Sequence, residues 1–400
     1  MRLSSHSVET KTKPATTAQA TLEKRTSTPN SCCLTARKIK NMEKTHLLQA
    51  PHLHAIARNI FVAAGASRHI AEDVSEILVN ANLAGHDSHG VLRVPAYLRG
   101  IDAGQLDPTA EPEVLAETPN TLRVDGQRSF GHYVSRWSIS KAIEKAKTAV
   151  SCSVSISNTG HIGRLGEYAE AAAKAGCIGL ISVGSGGKGG GPTVPYGGAQ
   201  GTFSTNPIAL GVPTGDEGPF IVDYATSVIA EGKIQVARSK GIDLPEGCIL
   251  DKNGMPSVKP ADFYDGGALL AFGKHKGYAL AMFTCLLGGL AGTYDTESGR
   301  MGGIFMQAID VNAFTPVAEY QKGVRAFLDS IKSTPPAQGF DEVLVPGDFE
   351  HRFRTQRLVE GVEIPDTIYN QLQECADKLG VSIGEDTIED DDRAHYGPVS

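Results

Sequence analysis

The stretch GCIGLISVGSGGKGGGPTVPYGG, Gly176–Gly198, decides the fold. It begins as a strand-like apolar run, and Gly184, Gly186 and Gly189 then fit G-x-G-x-x-G. In a Rossmann fingerprint the third glycine opens a helix whose N-terminus holds a pyrophosphate, and an acidic residue about 20 positions on binds the ribose. Neither feature follows here. Pro192 and Pro195 cannot lie inside a helix, and no Asp or Glu occurs between Gly190 and Gly215. Lys188 is not followed by Ser or Thr, so a P-loop fails as well. Two readings of the glycines remain: a loop whose backbone amides approach a ligand closely, or a flexible surface turn.

On either side the chain alternates between helical and strand-like periods. Apolar residues recur at three- and four-residue steps from Leu47 to Leu83, and Ser67 is a natural N-cap, which predicts a helical hairpin. Ser135–Ala149 reads as a helix, SCSVSIS as a strand, RLGEYAEAAAKAG as a helix and CIGLISV as a strand. NPIALGVPT and PFIVDYATS read as further strands, with a helix near Ile229–Ser239. The apolar run Gly277–Thr293 is too short for a bilayer, and its internal glycines suit close packing, so a buried helix is expected. GIFMQAIDV is strand-like, and Val317–Ser333 and Asp366–Leu379 are helical. The sum is a mixed α/β body with helices at both chain ends.

Four segments concentrate chemistry. GHDSHGVLR places His86, Asp87, Ser88, His89 and Arg93 together; imidazole exchanges protons near neutral pH, and the guanidinium fork pairs bidentately with a carboxylate. The plain alternative is a solvated connecting loop. SISNTGHIGRLGEY puts His161 in a strand-to-helix turn, where open α/β sheets gather their ligands, although a capping turn explains it equally. IVDYATS sets Asp223 at a strand end, with Thr226 and Ser227 as caps. AFGKHKGYAL offers Lys274, His275 and Lys276 at a helix N-terminus, where an anion such as a cofactor phosphate is attracted. His86-x-x-His89 lacks the H-E-x-x-H spacing of a zinc hydrolase, so no metal is expected.

The bulk properties bound the class. The 400 residues are 40% hydrophobic and 21% charged, with a net charge of −7, which argues against nucleic-acid or anionic-membrane partners. The seven cysteines have no C-x-x-C spacing, as free thiols in a reducing compartment would. Residues 1–44 are Ser/Thr-rich, with nine Lys/Arg against three Glu and no apolar period. This segment reads as a disordered extension, a mitochondrial-type transit peptide, or residues preceding a start near Met42. The terminal GEDTIEDDDRAHYGPVS, with six acidic residues and one Arg, reads as a solvated tail.

Together DSHGVLRVPAYLRGIDAG, NTGHIGRLGEYAEAAAKAGCIGL, PYGG…STNPIALGVP, DYATS…GKIQVARSKG, FGKHKGYALA and VPGDFEHR resemble, in order from about Leu47 to Gly380, the malate/L-lactate dehydrogenase family of NAD(P)-dependent 2-oxo-acid oxidoreductases. That family includes ureidoglycolate and sulfolactate dehydrogenases and diketogulonate reductase. The resemblance implies a mixed-sheet, non-Rossmann nicotinamide-binding α/β domain over residues 126–329. It also implies a helical substrate and dimerisation domain from residues 45–125 with 330–380 and a homodimer; the composition adds an acidic tail over 381–400 and a cytoplasmic location, mitochondrial if residues 1–44 are a transit peptide. It makes His161 and His89 the proton-transfer positions, with the balance toward His161, and Ser88 and Arg93 the substrate positions. Ser185, Asp223, Tyr224, Ala225, Lys276, Gly347 and Asp348 become the positions for NAD or NADP. The expected reaction is hydride transfer between the nicotinamide and a small 2-oxo or 2-hydroxy acid, with a protonated histidine serving the alkoxide. Reduction of a cyclic imine carboxylate and a catalytically silent binding protein are the alternatives. Lys274, and the basic glycine loop with Lys188, depart from the usual family pattern and leave the choice of cofactor open.

Overall fold

The computed structural model describes residues 44–215 and 218–396, so the readings of the N-terminal extension fall outside the described residues. The chain enters through β1 (Thr45–Leu48) and the expected hairpin of α1 (Ala50–Ala63) and α2 (Arg68–Leu83), with Ser67 as N-cap residue of α2. Two short 3-10 turns, Asp87–His89 and Val91–Arg93, lead into α3 (Val94–Asp102). Next come β2 (Glu113–Thr118), β3 (Thr121–Asp125), α4 (Gly131–Ala149), β4 (Ser151–Ser157), α5 (Gly166–Lys174) and β5 (Cys177–Gly186). They are followed by β6 (Ile208–Val212), β7 (Phe220–Tyr224), α6 (Glu231–Lys240), β8 (Ile249–Leu250), β9 (Pro256–Ser257), α7 (Pro260–Tyr264) and β10 (Ala268–Leu269). The last part holds α8 (His275–Gly288), β11 (Tyr294–Asp295), β12 (Arg300–Asp310), α9 (Val317–Lys332), α10 (Asp348–Glu360), β13 (Val362–Pro365), α11 (Asp366–Leu379) and α12 (Asp390–His395).

The main sheet has the order β2-β3-β4-β12-β5-β6-β7, with β11 paired to β12. β12 runs antiparallel to both β4 and β5, so Ile304 stands opposite Ile156 on one side and Val183 on the other. β3 and β4 are parallel, joined through α4. A mixed sheet whose central strand arrives more than a hundred residues after its neighbours is not a Rossmann sheet. Its consequence for function is geometric. β6 is antiparallel to both β5 and β7, so the C-terminal ends of β3, β4, β5 and β7 share one edge.

The two largest of four apolar cores among the described residues hold the main sheet and the helical body. Val124, Ile156, Ile181 and Met306 are buried between the sheet and its helices. Leu53, Phe61, Val74, Leu372 and Ala376 form a second core that joins the hairpin to α11, and β1 pairs with β13 beside it. The helical body is therefore built from both chain ends, as expected.

The glycines of the opening stretch answer mainly to this packing. A Cβ on Gly184 would overlap the Thr284 carbonyl of α8, and one on Gly288 would lie 2.6 Å from the Gly303 amide of β12. Without side chains at these positions α8 settles directly on β5 and β12. Gly186, Gly190 and Gly191 are likewise crowded by neighbouring chain, whereas Gly189 faces open space.

Two expectations are corrected. α8 is not a buried helix: Ala281, Thr284, Cys285 and Gly288 pack inward, while Met282, Phe283 and Leu286 stand exposed on the other face. The acidic end is not a solvated tail throughout. Asp392 is 1% exposed, Tyr396 is also buried, and Glu389 and Asp392 form a reciprocal capping box on α12. Arg58, equally buried, supplies the compensating charge. α10 carried no apolar period in the sequence and buries none of its residues fully; its arginines tie it down instead.

Candidate active site

The strand end of β4 and the turn before α3 meet at a cluster of aromatic and basic side chains. His161 leaves β4 in the sequence Asn158–Gly163, and Gly163 is required there: φ is +69°, and a Cβ would press to 2.7 Å from Nε2 of His132. From α3, the buried Tyr97 hydroxyl lies 2.8 Å from Nδ1 of His161 and 3.4 Å from Nε2 of His132. The His89 ring stacks on His161 at 5.7 Å between centroids and 25° between planes. Ser88 Oγ is 2.8 Å from Nδ1 of His89, and Arg93 donates from Nε to the Ser88 carbonyl at 2.7 Å. Arg357 and Asn82 hold Asp87, fixing the turn from behind. Ser88, His89, Arg93 and His161, drawn from two distant segments, therefore share one site.

The electrostatics are set by crowding. Burial, then the neighbouring His161 and Arg93, pushes His89 down to about 3. Burial, then Arg93, pushes His161 down to about 4, although the residue keeps an exposed surface. His132 is fully buried and is driven well below the ordinary histidine range for the same reasons. Burial raises the Tyr97 phenol, with Arg93 opposing. Desolvation and the neighbouring cations disfavour the charged form of each of these rings in the free protein.

The expected cofactor residues fall into two groups. Ser185, at the end of β5, accepts at its carbonyl from the Ser204 amide, and its own amide donates to Asn206. Thr226, following Ala225, donates to the Thr205 carbonyl and accepts from the Phe272 amide, and the Tyr224 ring meets Phe272 edge-on at 5.5 Å. Three residues beyond Phe272, His275 opens α8, and Lys274 and Lys276 are exposed there. Ser185, Tyr224, Ala225 and Lys276 are thus linked along one edge, the edge that also carries His161. The Asp223 carboxylate turns inward: it accepts from the Gly166 amide at 2.7 Å and lies 4.0 Å from Arg164, and burial raises its pKa against their pull. Gly347 and Asp348 are not brought to that edge. Gly347 packs against Pro219 and Phe220 at the opposite end of β7, and Asp348 caps the Val345 amide and pairs with Lys332.

Three residues of the cluster were missed from sequence. Tyr97 stands four residues after Arg93, which on a helix places both on one face, a signal that was available. His132 and Arg164 carried none. Arg164 is 4% exposed, and its Nε makes no hydrogen bond. Among the described residues no group of three or more His, Cys, Asp or Glu side chains is arranged to hold a metal ion.

The profile of the malate/L-lactate dehydrogenase family matches residues 48–373. The chain belongs to that family. L-sulfolactate dehydrogenase of Methanocaldococcus jannaschii is 35% identical over 334 residues, 81% of this chain and 94% of the relative. The Δ1-pyrroline-2-carboxylate/Δ1-piperideine-2-carboxylate reductase of Pseudomonas syringae pv. tomato is 32% identical over 347 residues, 84% and 97% of the two chains. A solved structure of sulfolactate dehydrogenase from M. jannaschii superposes with a TM-score of 0.78 at 32% identity, covering 86% of this chain and all of that one. As a member of the malate/L-lactate dehydrogenase family, the protein is an oxidoreductase of the hydroxy-acid dehydrogenase kind and takes a nicotinamide cofactor. The residues present suit such a group. Lys274 and Lys276, exposed at the α8 N-terminus, match a pyrophosphate in charge, next to the exposed Tyr224 ring; the Lys276 and Gly277 amides are already taken by the Gly273 and Phe272 carbonyls.

Proposed function

We propose that the protein reduces a small 2-oxo acid with NADH or NADPH, and oxidises the 2-hydroxy acid in reverse, as a cytoplasmic homodimer. The observation that carries this reading is the convergence of Arg93, His89 and a Tyr97-bound His161 at the strand edge that also bears Ser185 and Tyr224–Ala225. The bound nicotinamide supplies the hydride. Arg93 pairs with the substrate carboxylate and orients the adjacent carbonyl, which lowers the entropic part of the barrier. His161, held at Nδ1 by Tyr97, presents its other nitrogen to the carbonyl oxygen and gives it a proton as negative charge develops there, and the ring then recovers a proton from solvent. A neutral imidazole can do this, and its neutrality here follows from burial and Arg93. Ser88 orients His89, which closes the other side of the site.

Dimer formation is supported by the apolar face of α8, where Met282, Phe283 and Leu286 are too large and too contiguous for an ordinary surface. Loss of absorbance at the reduced-nicotinamide band tests the activity, with pyruvate, oxaloacetate, 2-oxo sugar acids, a 3-sulfonated 2-oxo acid and cyclic imine acids offered with each cofactor. Turnover of the oxo acids supports the proposal. Turnover of the cyclic imines alone favours the second reading, which rests on the pyrroline-carboxylate reductase relative. Absence of cofactor binding overturns both.

A further inference from the structure

His132 takes no part in the mechanism above, yet it is fully buried against the group that does. Its Nε2 faces the Tyr97 oxygen at 3.4 Å, and its Nδ1 has no hydrogen-bond partner. A neutral imidazole carries one ring proton. Placed on Nδ1, that proton would be a buried donor with no acceptor; placed on Nε2, it is donated to Tyr97 and leaves only a lone pair unmet. Orphaned buried donors are the rarer and costlier of the two. The proton therefore belongs on Nε2 of His132. The Tyr97 oxygen is then occupied as an acceptor, and its own hydrogen is free for Nδ1 of His161 at 2.8 Å.

We propose that His132, acting through the Tyr97 hydroxyl, sets the tautomer of His161, so that the ring proton of His161 sits on Nε2, away from Tyr97. His132 is a positioning residue that never meets substrate. The arrangement keeps a donor aimed at a carbonyl oxygen. It also resists protonation of His161, because an Nδ1–H would need the Tyr97 hydroxyl to reverse and His132 to move its proton to the orphaned nitrogen. The charged and titratable groups around the three rings are His86, His89 and Arg93 on the turns before α3, Arg136 on α4 and Arg164 beside α5. This inference rests on the assignment of His161 as the group serving the substrate oxygen.

The test compares His132→Leu with His132→Gln, whose side-chain amide can donate from nearly the same place. Ring nitrogens are read by 15N NMR of histidine-labelled protein without added ligand, and kcat is read against pH. In the parent protein at pH 7, His161 is expected to show a protonated Nε2 and a bare Nδ1. His132→Leu should convert this to a mixture of tautomers and lower kcat about tenfold. His132→Gln should recover the parent tautomer and most of kcat. A protonated Nδ1 on His161 in the parent, unchanged spectra and rates in His132→Leu, or equal losses in both variants overturns the proposal. His161→Asn separates the two claims. If it abolishes turnover while His132→Leu changes nothing, the role of His161 stands and the tautomer control falls; if it retains turnover, the role of His161 falls first.

Discussion

The buried Arg58 guanidinium donates to Asp392 at 2.6 Å, joining the first described helix to the last across 334 positions of sequence. His54 holds the same carboxylate oxygen at 2.5 Å, and the Glu389 amide donates to the other oxygen at 2.8 Å. The acidic end of the chain is thereby part of the helical core.

Asp392→Ala removes the buried partner of Arg58 and leaves only the exposed Glu389, 3.2 Å away, to meet its charge. Breaking such a pair costs about 3–5 kcal/mol, so a clear fall in the denaturant midpoint is expected. Burial alone would raise the Asp392 carboxyl, but the Glu389 amide, His54 and Arg58 outweigh it and hold it below its usual value. Its contribution is then fully present above the ordinary Asp range and is lost as pH falls through the lowered value. Urea titrations of the parent at pH 7 and in the acid range should show this loss, and Asp392→Ala should show less of it.

Arg93 is expected to bind rather than to react. Arg93→Ala should raise KM for the oxo acid about a hundredfold or more, with a smaller change in kcat, and Arg93→Lys should not restore it, because an ammonium lacks the planar fork. Initial rates over a range of substrate concentration decide this.

Because His161 sits near 4 and His89 near 3, neither ring changes charge between pH 5.5 and 8 in the free enzyme. The kcat/KM for reduction should therefore be flat over that window. A decline on passing upward through about pH 6.5 would show that an imidazolium is the acid after all.

Leu286→Glu on the exposed face of α8 should leave the fold intact and convert a dimer to a monomer in sedimentation velocity, since burying an unpaired carboxylate in an apolar contact is unfavourable. An unchanged sedimentation coefficient would place any subunit contact elsewhere.

Gly184→Val should destabilise severely, because its side chain would overlap the Thr284 carbonyl where α8 rests on β5. Overpacking of a tight core costs about 1–3 kcal/mol and more where backbone blocks relief. Thermal unfolding of Gly184→Val beside a Gly323→Ala control, where a Cβ meets nothing within 4 Å and φ is ordinary, measures the difference.

Sequence alone determined the elements with a clear period: the α1–α2 hairpin, strands β4 and β5, and helix α11 emerge where the apolar spacing put them. It also excluded the Rossmann reading, since two prolines and a missing carboxylate are local facts. The proposed proton-transfer and substrate residues were legible as segments rich in His, Arg and Ser. Tertiary structure alone decided which of those segments meet. His89 and His161 stack because β4 and the turn before α3 converge, and Gly347 parts from Tyr224 because the two lie at opposite ends of β7. The state of the histidines was likewise invisible in the sequence. A pKa and a tautomer depend on burial and on which atoms lie within hydrogen-bond reach, and for His161 those atoms come from α3, α4 and the turn at Arg93.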